Sequence, residues 1–141
     1  MNKPKVSIII PSKNEEKHIA KCLDSVLAND HGTENLEIIV SDGLSKDRTR
    51  PIIKDMQMKH FNIYLIDNKK ESTPHGLNAG IKASRGDYVM ILGAHSEISE
   101  NYISNIIQIL ETNPKIGGAG GRIMNAYENQ TFEAISKAMS S

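Results

Sequence analysis

A histidine at the end of an apolar segment is the first residue of this sequence that is placed to do chemistry. Residues 88–92 form a short apolar run after Gly86-Asp87, and the run ends at Gly93-Ala94-His95. Such a run is typical of a strand buried on both faces. Ligands of open α/β sheets bind beyond the carboxyl ends of the strands, so His95 could bind a metal ion or a proton at the mouth of a site. The alternative is a surface histidine that follows a strand.

Two more groups of polar residues follow apolar runs in the same way. Pro11-Ser12-Lys13-Asn14-Glu15 follows the run 6–10, and Asp42 follows the run 36–40. In a parallel sheet these strand ends would share one rim with His95. The carboxylate of Asp42 could accept hydrogen bonds from a base N–H or from ribose hydroxyls, or Asp42 could be a turn residue before Gly43.

Asp47 and Asn78 each have a functional and a structural interpretation. Asp47 could contact a ligand at the same rim as Asp42, but its spacing favours a helix cap. Asn78 lies between Gly76 and Gly80 in a weak helix, where it could reach a ligand or stand on a solvated face. Each glycine costs about 1 kcal/mol relative to alanine in a helix. We therefore expect some other group to approach the backbone of this helix closely.

The common nucleotide-binding loops are absent. Residues 11–15 stand where a dinucleotide-binding sequence G-x-G-x-x-G would follow the first strand, and the phosphate loop G-x-x-x-x-G-K-[ST] occurs nowhere. The sequence therefore supports neither NAD nor P-loop ATP chemistry. The glycine-rich run 117–121 resembles a phosphate loop, but Arg122 occupies its last glycine position, which favours close packing of a strand.

To bring these residues to one edge of a sheet, the chain must form alternating strands and helices. The sequence predicts strands at 6–10, 36–40, 61–66 and 88–92, each followed by a helical pattern, of which Ile19, Cys22, Leu23, Val26 and Leu27 form the clearest apolar face. Ser12 to Glu15 has the spacing of a capping box, and Thr73-Pro74 is typical of a helix start. We expect an α/β fold with a mostly parallel sheet and helices on both faces.

Composition limits the classes of function. The 141 residues suit one domain, residues 1–141, and 17 basic residues balance 17 acidic residues, so no basic stripe indicates nucleic acid as a partner. Cys22 is the only cysteine, which suits a reducing compartment, and its place on an apolar face favours a core role. The N-terminal apolar run is too short for a signal peptide or a membrane span, so a cytoplasmic location is expected.

Four ordered blocks resemble family 2 glycosyltransferases. Residues 6–15 resemble the opening strand with Pro-x-x-Asn-Glu, and residues 37–49 resemble the second-strand motif with Ser-x-Asp-x-Thr. Residues 76–81 resemble the Gly-x-Asn-x-Gly helix, and residues 84–88 resemble the start of the strand after it. The closest resemblance is to succinoglycan-type exopolysaccharide transferases.

The resemblance implies the Rossmann-like GT-A fold and a nucleoside-diphosphate sugar as donor. It implies that Pro11 and Glu15 line the nucleoside pocket, that Asp42 meets the base, and that Asn78 and Ala94 contribute to donor binding. Gly93-Ala94-His95 takes the place of the Asp-x-Asp motif, so His95 would be the ligand of a divalent metal, Mn²⁺ or Mg²⁺. An imidazole favours Mn²⁺ over Mg²⁺.

The sequence departs from the family pattern in two respects. Gly93 has no side chain where the first carboxylate is usual, and the catalytic base of the acceptor-binding half is expected beyond Ser141. These departures predict an incomplete donor-binding portion of a glycosyltransferase that uses a glycan or lipid-linked acceptor, with membrane association through a missing part. The apolar residues Phe132, Ile135 and Met139 predict self-association. A non-catalytic nucleotide-sugar-binding module and a sugar nucleotidyltransferase are the competing hypotheses.

Overall fold

The computed structural model describes residues 3–113 and 122–125. Strands and helices alternate along these residues as predicted. The strands are β1 (Val6–Ser12), β2 (Leu36–Asp42), β3 (Ile63–Asp67), β4 (Tyr88–Ile91) and β5 (Arg122–Asn125). The helices are α1 (Ile19–Leu27), α2 (Thr49–Lys59), α3 (Thr73–Ala83) and α4 (Tyr102–Thr112). Strand β5 follows the glycine-rich run 117–121. That run and the apolar residues Phe132, Ile135 and Met139 lie outside the described residues.

The five strands form one sheet in the order β3-β2-β1-β4-β5, and every neighbouring pair is parallel. The first strand lies at the centre, with β2 on one side and β4 on the other. Its residues Val6, Ile8, Ile9 and Ile10 have no exposed surface. This burial explains why the strand reads as a continuous apolar run, since a sheet covered on both faces does not alternate.

Helices cover both faces of the sheet, which confirms the predicted α/β architecture. On one face Ile8 and Ile10 of β1 pack in a cluster with apolar residues of α1, α2 and α4, including Leu23, Ile53 and Ile103. On the other face Ile9, Ile39 and Val89 form a smaller cluster with Leu77 and Ile81 of α3. The predicted core role of Cys22 is also confirmed, because its thiol is buried among the larger cluster.

The glycines of α3 allow the helix to lie directly on the sheet. A Cβ atom at Gly80 would stand 2.3 Å from Cγ2 of Ile9, and one at Gly76 would stand 3.0 Å from Nδ2 of Asn68. The predicted close approach is therefore confirmed. The groups that approach are the side chains of β1 and of the loop after β3.

Two predicted helix caps are wrong. Ser12 belongs to β1 and its hydroxyl donates to Asp42, while α1 begins only at Ile19. The capping box does not form because the N–H of Glu15 donates to the hydroxyl of Thr49, the first residue of α2. Helix α3 begins at Thr73, but its N-cap is Ser72, whose hydroxyl accepts from the N–H of His75, so the cap lies one residue before Thr73, the residue predicted for it.

Candidate functional site

A pocket of about 200 Å³ lies at the carboxyl ends of β1 and β4. The chain leaves β1 toward β2 and later returns to the other side of β1 as β4, so the strand order reverses there. Ligands of open α/β sheets bind at such a reversal. Residues after β1, before and at the start of α3, and after β4 line the pocket: Pro11, Ser12, Lys13, Glu15, Asn68, Glu71, Ser72, Thr73, Gly93, Ala94 and His95.

Four of the six site residues predicted from the sequence lie together in this pocket. They are Pro11, Glu15, Ala94 and His95. The Nδ1 atom of His95 lies 3.2 Å from Oε2 of Glu15, which joins the loop after β1 to the loop after β4. The imidazole is 63% exposed and the Glu15 side chain 23%. The pair therefore faces solvent and can meet a ligand, while the roles predicted for these residues stay predictions.

The residues around His95 offer few ligands for a metal ion. Glu15 and His95 supply one carboxylate and one imidazole, a donor set that suits Mn²⁺. Gly93 adds no side chain, and within the described part of the chain no group of three His, Cys, Asp or Glu residues is arranged to hold a metal. A cation bound here would have to complete its coordination with substrate oxygens and water.

Asp42 lies at the end of β2, outside the residues that line the pocket, and has no exposed surface. Its Oδ1 accepts from the hydroxyls of Ser12 and Ser45 at 2.7 and 2.6 Å. Its Oδ2 accepts from the Ser45 N–H at 2.8 Å and from Arg50 at 3.0 Å. Burial raises the pKa of Asp42, but these hydrogen bonds outweigh it and hold the pKa below its usual range. In this arrangement Asp42 fixes the loops beside the pocket, and contact with a base would require it to exchange one of these donors.

Asn78 does not join the pocket. It is exposed on α3 and lines a separate open cleft with Lys69, Lys70 and Lys82. The same cleft contains His75 and Asp67. The structure thus separates Asn78 from the other predicted donor-binding residues, and a role for it in donor binding stays a prediction.

The loops after β1 and β2 are joined by hydrogen bonds. The N–H groups of Asn14, Glu15 and Glu16 donate to Ser45, Thr49 and Asp47 at 2.8, 2.8 and 3.2 Å. In return, the side-chain oxygen of Asn14 accepts from the N–H of Lys46 at 2.9 Å.

Asp47 also accepts from the N–H of Thr49 at the start of α2. The N-cap position of α2 is Arg48, which makes no side-chain cap hydrogen bond, so the predicted N-cap role of Asp47 is not confirmed. Asp47 instead binds the first N–H of the helix from one residue earlier and helps to fix the loop that carries Glu15.

Sequence reasoning missed the far wall of the pocket. Asn68, Glu71 and Ser72 come from the loop between β3 and α3, and Lys13 faces them from the loop after β1. The ammonium of Lys13 lies 2.7 Å from Oε1 of Glu71. The only sequence signal for this wall was the polar run before Pro74, which marks a helix start and not a ligand site.

Comparison with known proteins places this geometry in a family. The family description "Glycosyl transferase family 2" matches residues 7–138. A protein of Methanococcus voltae, dolichyl N-acetyl-alpha-D-glucosaminyl phosphate 3-beta-D-2,3-diacetamido-2,3-dideoxy-beta-D-glucuronosyltransferase, is 40% identical over 134 residues. The match covers 91% of this chain and 42% of that relative, so the chain spans less than half of the relative's length.

Two solved structures share the fold. The mannosyltransferase PcManGT of Pyrobaculum calidifontis, in complex with GDP-Man and Mn²⁺, superposes with a TM-score of 0.76 at 25% identity, over 82% of this chain and 34% of that one. TarS 1–349 of S. aureus, in complex with UDP-GlcNAc, gives a TM-score of 0.69 at 23% identity, over 78% of this chain and 32% of that one.

These likenesses confirm the predicted GT-A fold. None of the helices within residues 3–113 is long and apolar enough to cross a membrane. The particular resemblance to succinoglycan-type transferases stays a prediction, whereas the family is shown by a match over nearly the whole chain: this protein belongs to glycosyl transferase family 2.

Proposed function

We propose that residues 1–141 form the donor-binding part of an inverting glycosyltransferase. The donor is a nucleoside-diphosphate sugar, and the acceptor is a glycan or a lipid-linked sugar in polysaccharide or cell-envelope glycan synthesis. The observation that carries the proposal is the pocket at the ends of β1 and β4, where Glu15 and His95 meet. Support comes from the family match and from solved neighbours whose names include UDP-GlcNAc and GDP-Man.

The pocket residues would act on the diphosphate. Transfer of the sugar leaves a nucleoside diphosphate that carries more negative charge than it does in the donor. His95 and Glu15 would hold a divalent metal, Mn²⁺ or Mg²⁺, which supplies positive charge to that leaving group when bound. Pro11 and Ala94 contribute an apolar floor. The Mn²⁺ in the name of the Pyrobaculum neighbour supports this proposal.

The acceptor and the place of action are also proposals. The name of the Methanococcus relative contains a dolichyl-linked sugar phosphate, which supports a lipid-linked acceptor. The place of action that we propose is the cytoplasm, at the cytoplasmic face of a membrane. The resemblance of the sequence to succinoglycan-type transferases supports exopolysaccharide synthesis. The catalytic base, by the same resemblance, would lie in an acceptor-binding half.

Calorimetry with UDP, GDP, UDP-GlcNAc and GDP-Man, with and without Mn²⁺, tests donor binding. We expect at least one of these to bind, and we expect Asp42→Ala to weaken binding by about 1–3 kcal/mol, as expected when a buried hydrogen-bonding partner is removed. Equal weakening for uridine and guanosine nucleotides would assign Asp42 to loop positioning, and a base-dependent effect would assign it to base contact. A folded protein that binds none of the four compounds contradicts the proposal.

A nucleotide-sugar-binding module without catalysis is the second candidate. The lack of a side chain at Gly93, where the family usually has a carboxylate, favours it. Release of UDP or GDP that depends on an added sugar acceptor would support the enzyme. Binding without such release by the natural full-length protein would support the module.

A further inference from the structure

An ion pair joins two walls of the pocket. Lys13, in the loop after β1, and Glu71, in the loop before α3, both line it, and Nζ of Lys13 lies 2.7 Å from Oε1 of Glu71. The two side chains are 48% and 43% exposed. They can therefore separate without disturbing the core.

The backbones that carry the pair are fixed. Glu71 has a left-handed φ of 63°, its N–H donates to the Asn68 carbonyl, and a Cβ atom at Gly43 would stand 3.3 Å from its Cα. On the other side, Asn14 and Glu15 are held by their hydrogen bonds to the loop after β2. Separation of the pair would consequently be a movement of two side chains and not of two loops.

The pocket is small for the proposed donor. Its volume is about 200 Å³, whereas pockets for small ligands and cofactors occupy about 300–1,000 Å³. Most of its boundary consists of strand ends and hydrogen-bonded loops. The Lys13–Glu71 pair consists of two long, half-exposed side chains, so the boundary can open there.

The charges of the pair indicate which of its two side chains would bind the donor. Among the described residues that line the pocket, Lys13 is the one whose side chain carries a permanent positive charge near neutral pH. The hydrogen bond from Lys13 lowers the pKa of Glu71, so the carboxylate stays ionised. In the free protein the Glu71 carboxylate is therefore already paired with the Lys13 ammonium, the group to which a diphosphate would bind.

We infer that Lys13 binds the diphosphate of the donor and that Glu71 holds the Lys13 ammonium in the free protein, so that donor binding exchanges one anion for the other. The inference rests on the proposed function and deepens it. It assigns a binding residue and an internal competitor within the same pocket.

Calorimetry of the 141-residue chain with UDP and GDP, and with uridine and guanosine as uncharged controls, tests this exchange. Glu71→Gln should tighten diphosphate binding about two- to fivefold, the change expected when an exposed ion pair no longer has to break. Lys13→Met should weaken it by about tenfold or more, as expected for loss of a charged hydrogen-bond donor. Lys13→Arg should retain it, and nucleoside binding should change in none of the variants.

Two controls separate the exchange from general electrostatics. Glu111→Gln removes one exposed negative charge on α4, outside the pocket, and should leave diphosphate binding unchanged. The double variant Lys13→Met/Glu71→Gln should lose most of the gain seen for Glu71→Gln, because that gain requires the freed ammonium. A gain that persists in the double variant would mean simple repulsion by Glu71 and would overturn the inference.

The outcomes distinguish this inference from the proposed function. Diphosphate binding by the unmodified chain that Glu71→Gln leaves unchanged or weakens overturns the inference alone. Absence of binding of either diphosphate to any folded variant overturns the proposed function and the inference with it.

Discussion

Replacement of Gly80 by alanine should destabilise the protein although alanine is the better helix former. Gly80 faces β1 from α3, and a Cβ atom there would lie 2.3 Å from Cγ2 and 3.5 Å from Cβ of Ile9. Ile9 has no exposed surface. Its side chain is β-branched and restricted at χ1, so it cannot rotate away from the new methyl group.

Two opposing effects set the size of the change. Alanine gains about 1 kcal/mol of helix propensity over glycine. Carbon atoms in contact prefer about 3.5–4 Å, so the methyl group must move α3 from the sheet by more than about 1 Å. Overpacking of a core costs about 1–3 kcal/mol, and the closeness of this contact argues for the upper end. The expected net loss of unfolding free energy is therefore about 2 kcal/mol, the difference between these two terms.

Urea unfolding followed by far-UV circular dichroism measures this loss. Ala79→Gly, one residue earlier in α3, serves as the matched control, because it should reveal the propensity term alone, about 1 kcal/mol. In an Ile9→Ala background the clash is removed. There Gly80→Ala should be neutral or stabilising by up to about 1 kcal/mol, which makes the two sites strongly coupled.

The reasoning fails if Gly80→Ala is as stable as the unmodified protein or more stable. It also fails if the loss is the same with isoleucine and with alanine at position 9. Either result would mean that α3 does not rest on Ile9 as described.

Three other predictions concern Asp42, Cys22 and His95. The pKa of Asp42 is lower in the folded than in the unfolded chain. The ionised carboxylate therefore stabilises the fold fully above about pH 5, and this stabilisation is lost as the pH falls through the pKa of the folded state. In Asp42→Asn the melting temperature should fall less steeply below pH 5 than in the unmodified protein, and parallel curves of melting temperature against pH would contradict this. Burial, with the Glu15 and Glu97 carboxylates adding to it, raises the pKa of the Cys22 thiol to about 12, so a thiol reagent at pH 8 should react quickly only in urea; rapid labelling of folded protein would refute this. His95→Ala should abolish any Mn²⁺ enhancement of nucleotide binding in calorimetry, and an unchanged enhancement would exclude the imidazole as a ligand.

The sheet and one edge of the pocket could be predicted from the sequence because both follow from periodicity. Continuous apolar runs indicated strands covered on both faces, and the parallel order followed from the alternation of strands and helices. That order brings all strand ends to one edge of the sheet. Pro11, Glu15, Ala94 and His95 were therefore expected together, and the structure places them together.

Partners distant in sequence explain the failures. Ser12 and Glu15 have the spacing of a local cap, but Asp42 and Thr49, each at least 30 residues away, take their hydrogen bonds. No pattern within one segment reveals such competition.

The sequence contained enough information to place Asn78 away from the sheet. Glycines at 76 and 80 are four residues apart and share one helix face. Asn78, two residues from each, must lie on the far side of α3 when that face meets the sheet.

The hydrogen bonds between the loops after β1 and β2 have a consequence for engineering and for divergence within the family. The backbone of residues 14–16 is anchored to side chains at 45, 47 and 49, and Asn14 holds a left-handed φ of 53° beside them. A graft that imports residues 43–49 from a relative with other side chains at 45, 47 and 49, but leaves residues 13–16 unchanged, would deprive three N–H groups of their acceptors. We therefore expect the two loops to be transferable only as one unit, with matching residues in both.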